Sequence, residues 1–248
     1  MPQIIKRKNI NLSLVLPCYN EAEHIAVSLP RIIKIIKQKI RSYEIILVED
    51  KSRDNTRELI VQLLAQYKNE PLRVYYHQQN EGRGKSVTDG INMAKGKYVG
   101  FIDIDCEVSP KYIPEFISTL TQGNDVICGL RVYVTSFSGI IRALASKLYA
   151  FLVRIILRVK TPDTEAGYKF FNREKILPIL RKVKDNGWFW DTEIVVRSER
   201  AGLNVTSIPV VFERKKDKTS TVNLMSDTWN YLVKLWKFRL ELIQENNS

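Results

Sequence analysis

Tyr98-Val99-Gly100-Phe101-Ile102-Asp103-Ile104-Asp105, with Glu107 two residues further on, is the stretch on which the fold turns. The apolar run reads as a buried strand, and three carboxylates at alternate positions gather negative charge where it ends. Self-repulsion and loss of water both oppose such a cluster. A divalent cation held by hard oxygen ligands removes the penalty and offers its remaining positions to phosphate. An isolated D-x-D is more often a solvated acidic turn, so the neighbouring sequence decides between the two.

Towards the N-terminus the pattern alternates. Leu12 to Pro17 reads as a buried strand, and Glu21 to Lys39 carries Ile25, Leu29, Ile32, Ile33 and Ile36 at helical spacing. Glu44 to Val48 is a second strand; Asp50 to Asp54 supplies turn and cap residues before a helix over Thr56 to Tyr67. Arg73 to His77, Lys85 to Lys95 and Lys97 to Asp103 follow as strand, helix and strand. Regular strand–helix alternation predicts an α/β fold with a mostly parallel, doubly wound sheet. Ligands of such sheets bind beyond the carboxyl ends of the strands, which here carry Tyr19-Asn20-Glu21, Asp50 and Asp103 to Glu107.

The 248 residues suffice for a full core, and the net charge of +12 favours an acidic partner: nucleic acid, anionic lipid or a phosphorylated small molecule. Cys18, Cys106 and Cys128 are too few and scattered for a disulfide framework or zinc site, which suggests a reducing compartment. Residues 1–11 lack the apolar stretch of a secretory signal. The apolar run Leu148 to Leu157 is broken by Arg154 and falls short of the ~20 residues a spanning helix needs. The expectation is a protein that does not cross a membrane.

The second half carries two amphipathic segments. In residues 136–159, Lys147, Arg154 and Arg158 share one helical face, and Arg142, Ser146 and Tyr149 another. Leu224 to Ile243 has a broad apolar arc of Leu224, Met225, Trp229, Leu232, Leu235, Trp236, Leu240 and Ile243. Two basic, aromatic-bearing helices suggest binding in the plane of a membrane interface, the plainer alternative being a core face or dimer contact.

Other motifs fail. Gly82-Arg83-Gly84-Lys85-Ser86 has Gln79 where a P-loop needs glycine, although this turn can still offer backbone N–H groups to an anion at a helix start. Val108 occupies the glycine position of an EF-hand. Neither His24 nor His77 has a triad context, and no nucleic-acid motif is present, so nucleic acid is not taken as a partner.

Five segments in register carry a resemblance: Pro17-Cys18-Tyr19-Asn20-Glu21, Val48 to Thr56, Asn80-Glu81-Gly82-Arg83-Gly84, Asp103-Ile104-Asp105, and Asp163-Thr164-Glu165-Ala166-Gly167-Tyr168-Lys169-Phe170-Phe171. Over roughly residues 12–215 the chain resembles the inverting family-two glycosyltransferases of GT-A fold, within them the dolichol- and polyprenyl-phosphate mannose and glucose synthases. The resemblance implies a GT-A domain over 1–215 and a C-terminal loop and amphipathic helix over 216–248. It places the nucleotide-sugar donor on Pro17, Tyr19, Asn20, Glu21, Asp50, Gly82, Arg83, Asp103, Ile104 and Arg214. It also implies a cofactor, Mg2+ or Mn2+, on Asp103, Asp105 and Glu107, with Asp105 catalytic through the metal.

On the acceptor side, Arg131, Arg142 and Ser146 resemble the groups that hold a lipid phosphate in these transferases. An ionised phosphate needs no strong base, only cationic groups holding it in line. Asp191 resembles an aspartate near the acceptor, a catalytic base if the acceptor is a hydroxyl. The loop after Arg214 departs from the family pattern, having no glycine in Lys215 to Ser220. Many relatives continue into transmembrane helices; this chain is expected to hold the cytoplasmic membrane face peripherally or through a membrane-anchored partner subunit. Two alternatives stay open here: a soluble transferase acting on a hydroxyl of glycan or protein, and a non-catalytic basic scaffold or nucleic-acid-binding module.

Overall fold

The first strand, β1 (Leu12–Cys18), is buried along its whole length, as expected of a central strand covered on both faces. A computed structural model describes residues 10–133, 140–214 and 224–247. After β1 come α1 (Ala22–Lys39), β2 (Tyr43–Glu49), α2 (Thr56–Gln66), β3 (Leu72–Tyr76), α3 (Arg83–Met93) and β4 (Tyr98–Ile102). The second half adds α4 (Ile113–Thr121), β5 (Val126–Tyr133), α5 (Ile140–Leu157), β6 (Tyr168–Asn172), α6 (Arg173–Leu180), α7 (Trp190–Arg200), β7 (Val205–Phe212) and α8 (Leu224–Asn247).

The strands form one sheet in the order β3-β2-β1-β4-β6-β5-β7. β1 pairs in parallel with β2 and β4, β2 with β3, and β5 with β7; β6 runs antiparallel to both β4 and β5. The chain steps outward from β1 to β3, then returns to place β4 on the other side of β1. That reversal opens a crevice beyond the carboxyl ends of β1 and β4.

Helices cover both faces. On one face Ile25, Leu29, Ile32, Ile33 and Ile36 of α1 meet Ile60 and Leu63 of α2 and Phe116 and Leu120 of α4. On the other, Val87 and Ile91 of α3 pack with residues of α5, α6, α7 and α8. The arc read along the last helix divides in two: Leu235 and Leu242, with Phe238, are buried in this core, whereas Trp236, Leu240 and Ile243 are exposed. An arc that wide exceeds what one packing surface covers, and three buried side chains of this size contribute about 5–9 kcal/mol as an upper bound. Ionic contacts reinforce the seat. Arg197 of α7 reaches Glu193 at 2.8 Å, Glu241 at 2.6 Å and Glu245 at 3.0 Å, and Lys234 reaches Asp185 at 2.5 Å.

The other amphipathic segment is α5. Val153 and Leu157 face inward; Leu148, Phe151 and Ile155 are exposed, with Arg154 and Arg158 exposed beside them. Arg158, at φ +55°, ends the helix in the left-handed conformation common at helix C-termini. The side chains of Arg142, Ser146, Lys147 and Tyr149 lie outside the described residues, as do those of Leu224, Met225 and Trp229. No helix among the described residues is long and apolar enough to cross a membrane.

Candidate active site

The loops after β1 and β2 are stitched together. Asn20, at φ +54°, donates its N–H to Ser52 Oγ at 3.0 Å and accepts from Arg53 N–H at 2.8 Å. Glu21 N–H donates to Thr56 Oγ1 at 2.8 Å, and Ala22 N–H to Asp54 at 3.2 Å. Asn tolerates the left-handed region, which is why it fits this corner. Pro17 is buried at the end of β1, and Tyr19 projects beyond it, 38% exposed.

Asp50, after β2, is buried and saturated. Its Oδ1 accepts from His77 Nδ1 at 2.6 Å and Glu81 N–H at 2.8 Å, and its Oδ2 from Gly82 N–H at 2.9 Å and Asn80 Nδ2 at 3.1 Å. The carboxylate therefore shapes the turn that starts α3. Gly82 holds φ +100°, and a Cβ there would lie 2.4 Å from Asn186 O. Only glycine suits both constraints.

The first residue of α3 reaches into the crevice. Arg83 Nε donates to Asp103 Oδ1 at 2.8 Å and Nη1 to Asp191 Oδ2 at 2.5 Å; its guanidinium lies 4.6 Å from the Trp188 ring. Burial alone would lower the Arg83 pKa, but Asp103 and Asp191 outweigh that and hold it firmly charged. Its Nη2 is buried without a hydrogen-bond partner. Asp191 Oδ1 accepts from Lys169 Nζ at 2.5 Å, and that ammonium also donates to Ala166 O. Lys169 and Asp191 are both essentially removed from solvent. A continuous chain, Asp103–Arg83–Asp191–Lys169, thus runs from the end of β4 to the middle of β6. Gly167 closes over it: its carbonyl accepts from Asp103 N–H at 3.2 Å, and a Cβ would fall 1.8 Å from Asp103 Oδ2.

The residues fit a cation at the D-x-D in one respect. Asp103 sits above the usual carboxylate range because the surrounding chain strips water from it; Arg83 opposes this, and the charge of Asp105 adds to it. Arg83 only partly offsets the lost hydration of Asp103, and a further cation would favour its charged form. Ile104 is buried and holds the two aspartates on one rigid turn. Among the described residues no three acidic, histidine or cysteine side chains converge as a metal group, so Asp103, Asp105 and Glu107 are not gathered as a three-carboxylate site. Asp103 and Asp105 would hold the ion, with the remaining positions left to ligand oxygens and water.

On the far side of β6, Arg131 is already paired. Its Nε and Nη2 grip Asp163 at 2.7 and 2.9 Å, and Nη2 reaches Glu165 at 3.3 Å. Burial opposes ionisation of Asp163, yet Arg131 holds it below the usual carboxylate range; burial dominates at Glu165 and raises it. Arg214 is exposed just after β7, next to Glu213, whose N–H donates to Glu107 O at 2.8 Å. The chain at Arg214 is thereby tied to the D-x-D loop, while 215–220 lie outside the described residues.

Four site residues escape a reading of the sequence. Lys169 stands in the segment Asp163 to Phe171 that carries the resemblance, but was given no role in the site. Glu49, fully buried before Asp50, accepts from Ser52 N–H at 2.6 Å on Oε1, and its Oε2 has no hydrogen-bond partner. Trp188 is 60% exposed beside Arg83. His77, set aside for want of a triad, is buried between two carboxylates. Lys169, Trp188 and His77 each meet a partner distant in sequence, which no local pattern marks.

Comparison with known proteins agrees with this architecture. The family model for glycosyl transferase family 2 matches residues 13–179. Glycosyltransferase AglD of Haloferax volcanii is 30% identical over 231 residues, covering 91% of this chain and 36% of that protein. This chain thus spans about a third of that relative's length. The dolichyl-phosphate beta-glucosyltransferase of Saccharomyces cerevisiae is 30% identical over 223 residues, 82% of this chain and 67% of that protein. Among solved structures, glucosyl-3-phosphoglycerate synthase of Mycobacterium tuberculosis, in complex with Mn2+, uridine diphosphate and glucosyl-3-phosphoglycerate, superposes with a TM-score of 0.63 at 18% identity. That match covers 84% of this chain and 73% of the synthase, and it speaks for the fold. With the sheet topology and a family model spanning well over half its residues, the chain belongs to glycosyl transferase family 2.

Proposed function

We propose that the chain transfers a hexose from a nucleotide sugar, GDP-mannose or UDP-glucose, to dolichyl or another polyprenyl phosphate, with inversion. The observation that carries this reading is Asp191. Both of its oxygens are engaged by cations, Lys169 at 2.5 Å and Arg83 at 2.5 Å, so the carboxylate is poorly placed to take a proton from a hydroxyl. A phosphate acceptor arrives ionised and needs no base, which makes the hydroxyl alternative the weaker one. The yeast relative is named for a dolichyl-phosphate substrate, in keeping with that choice.

The donor lies over the carboxyl ends of β1, β2 and β4, with Tyr19 and Glu21 at the nucleotide, Arg83 near the sugar and Arg214 over the diphosphate. Asp103 and Asp105 would hold a divalent ion, Mn2+ or Mg2+, which would supply positive charge as the nucleoside diphosphate departs. Arg83 holds Asp103 and Asp191 in fixed relation, and the dry Lys169–Asp191 contact keeps that arrangement rigid. Arg131, with Arg142 and Ser146, receives the acceptor phosphate, which competes with Asp163 and Glu165 for the Arg131 guanidinium.

The chain meets a membrane through α5 and α8. Arg239 Nη1 of α8 donates to Ile156 O of α5 at 2.7 Å, and the exposed Ile155 and Leu240 are the sequence neighbours of the two linked residues. Apolar stripes on both helices, the basic Arg154 and Arg158, and a net charge of +12 suit an anionic bilayer surface. The double variant Phe151→Ser/Trp236→Ser is expected to bind anionic vesicles at least about tenfold more weakly, since each side chain is worth about 1.5–3 kcal/mol when buried. Vesicle flotation reads this, and equal flotation of variant and wild type excludes α5 and α8 as the contact.

The reaction is tested by offering UDP-glucose and GDP-mannose with Mn2+ and dolichyl phosphate and determining the anomer of the glycolipid. Transfer to a hydroxyl acceptor with none to the lipid phosphate overturns the proposal.

A further inference from the structure

His77 is one of two histidines in the chain, and its ring bridges elements that form the donor side of the site. Its Nδ1 faces Asp50 Oδ1 at 2.6 Å, and its Nε2 faces Asp89 Oδ2 at 3.0 Å. Asp50 closes β2 and holds the N–H groups of Glu81 and Gly82. Asp89 sits on the second turn of α3 and is shared with Lys85 Nζ, at 2.5 and 2.6 Å. The other groups facing the ring are Tyr75, edge-on at 5.4 Å, and Glu49, whose carbonyl accepts from His77 N–H at 2.9 Å and whose own carboxylate is buried next to Asp50. The ring is 5% exposed and Asp50 2%, so water does not compete for the contact between them.

Ionised carboxylates only accept hydrogen bonds. A neutral imidazole has one N–H and one lone pair, so between two carboxylates it satisfies one and repels the other. An imidazolium satisfies both. Arg83, which spans Asp103 and Asp191, is the residue immediately after the turn that Asp50 holds.

We propose that His77 is a positioning residue: doubly protonated, it clips Asp50 to Asp89 and so fixes the Asn80–Gly82 turn that presents Arg83 to the donor. The inference rests on the reading of this crevice as the nucleotide-sugar site. Loss of one ring proton opens the clip at one end, whichever nitrogen keeps its hydrogen. The turn then slackens against α3, and affinity for the donor falls. The chemical step, carried by groups on the other side of Arg83, follows less closely.

Two variants separate this from a merely structural role. In Asp89→Asn, a near-isosteric change at a partly exposed site, the amide accepts from an N–H or donates to a lone pair. Either protonation state of His77 then completes the bridge. In His77→Gln, no group of that size donates to both carboxylates at once.

The wild-type chain is expected to show both ring nitrogens of His77 protonated at neutral pH in 15N NMR, the signal being assigned by its loss in His77→Gln. Its donor KM is expected to rise about tenfold or more from mildly acid to mildly alkaline pH, the scale of a hydrogen bond to a charged group, with a smaller change in kcat. Asp89→Asn flattens that rise, and His77→Gln keeps a high KM throughout. A singly protonated ring at neutral pH, or a KM profile of Asp89→Asn that superimposes on the wild type, overturns the proposal. A chain that keeps the doubly protonated ring yet binds no nucleoside diphosphate at any pH overturns the donor-site reading and the predicted KM effect together. The ring signals distinguish that failure from failure of the clip.

Discussion

Lys169→Met lowers the melting temperature by about 6–20 °C, because breaking a buried ion pair costs roughly 3–5 kcal/mol and a chain of this size loses about 2–4 °C per kcal/mol. The pair is as dry as any in the molecule: Lys169 is 0% exposed and Asp191 1%. Methionine fills most of the volume but leaves Ala166 O without its donor and Asp191 with Arg83 alone. Arg83 moderates the loss, so the lower part of the range is expected. The double variant Lys169→Met/Asp191→Leu removes both charges and recovers part of the melting temperature, although Arg83 then keeps only Asp103. Thermal denaturation followed by circular dichroism measures both. A Lys169→Met chain that melts with the wild type means that Asp191 gains no stability from the ammonium.

Asp105→Ala acts on turnover rather than on folding. If Asp105 helps hold the cation that neutralises the leaving diphosphate, its loss removes several kcal/mol of transition-state stabilisation, on the order of 10³-fold in kcat. The side chain accepts Glu107 N–H at 3.2 Å, a contact worth about 1 kcal/mol, and its removal relieves repulsion of Asp103, so the melting point is expected to move only slightly. The stabilisation that Mn2+ and nucleotide together confer on the wild type should also disappear, a readout by mass action that needs no turnover. Full activity in the purified, folded variant contradicts the assignment of Asp105 to the metal.

The first half of the fold was legible because each element there has one simple period. β1, but for Ser13, and β4 are apolar, and α1 repeats its isoleucines on one face, so their positions follow from local pattern to within a residue or two. The second half hides its elements. β6 lies antiparallel between β4 and β5, a placement set by pairing across the sheet, and Lys169 interrupts its apolar run. Every residue of α7 from Trp190 to Ser198 is buried, including Asp191, Glu193 and Arg197, so the helix shows no polar face.

The site divides the same way. Asp103, Asp105 and Asp50 stand at strand ends, where the fold gathers polar groups, and were readable as candidates. That Arg83 bridges Asp103 to a residue 108 positions away depends on the meeting of α3, β4 and α7, which no window of sequence contains. The assignment of Arg131 to the acceptor meets a guanidinium already gripped by Asp163, a partner 32 residues on.

The seating of the last helix has an engineering consequence. Lys234 holds Asp185, Asp185 Oδ1 accepts Gly187 N–H at 2.7 Å, and the next residue is the Trp188 that lies against Arg83. Trimming the protein before residue 224 to obtain a minimal catalyst therefore strips away more than a tail. It bares the greasy trough filled by Leu235, Phe238 and Leu242 and cuts the tether that steadies the Trp188 ring against Arg83. A shortened version of this chain is expected to stay folded only if it keeps that helix.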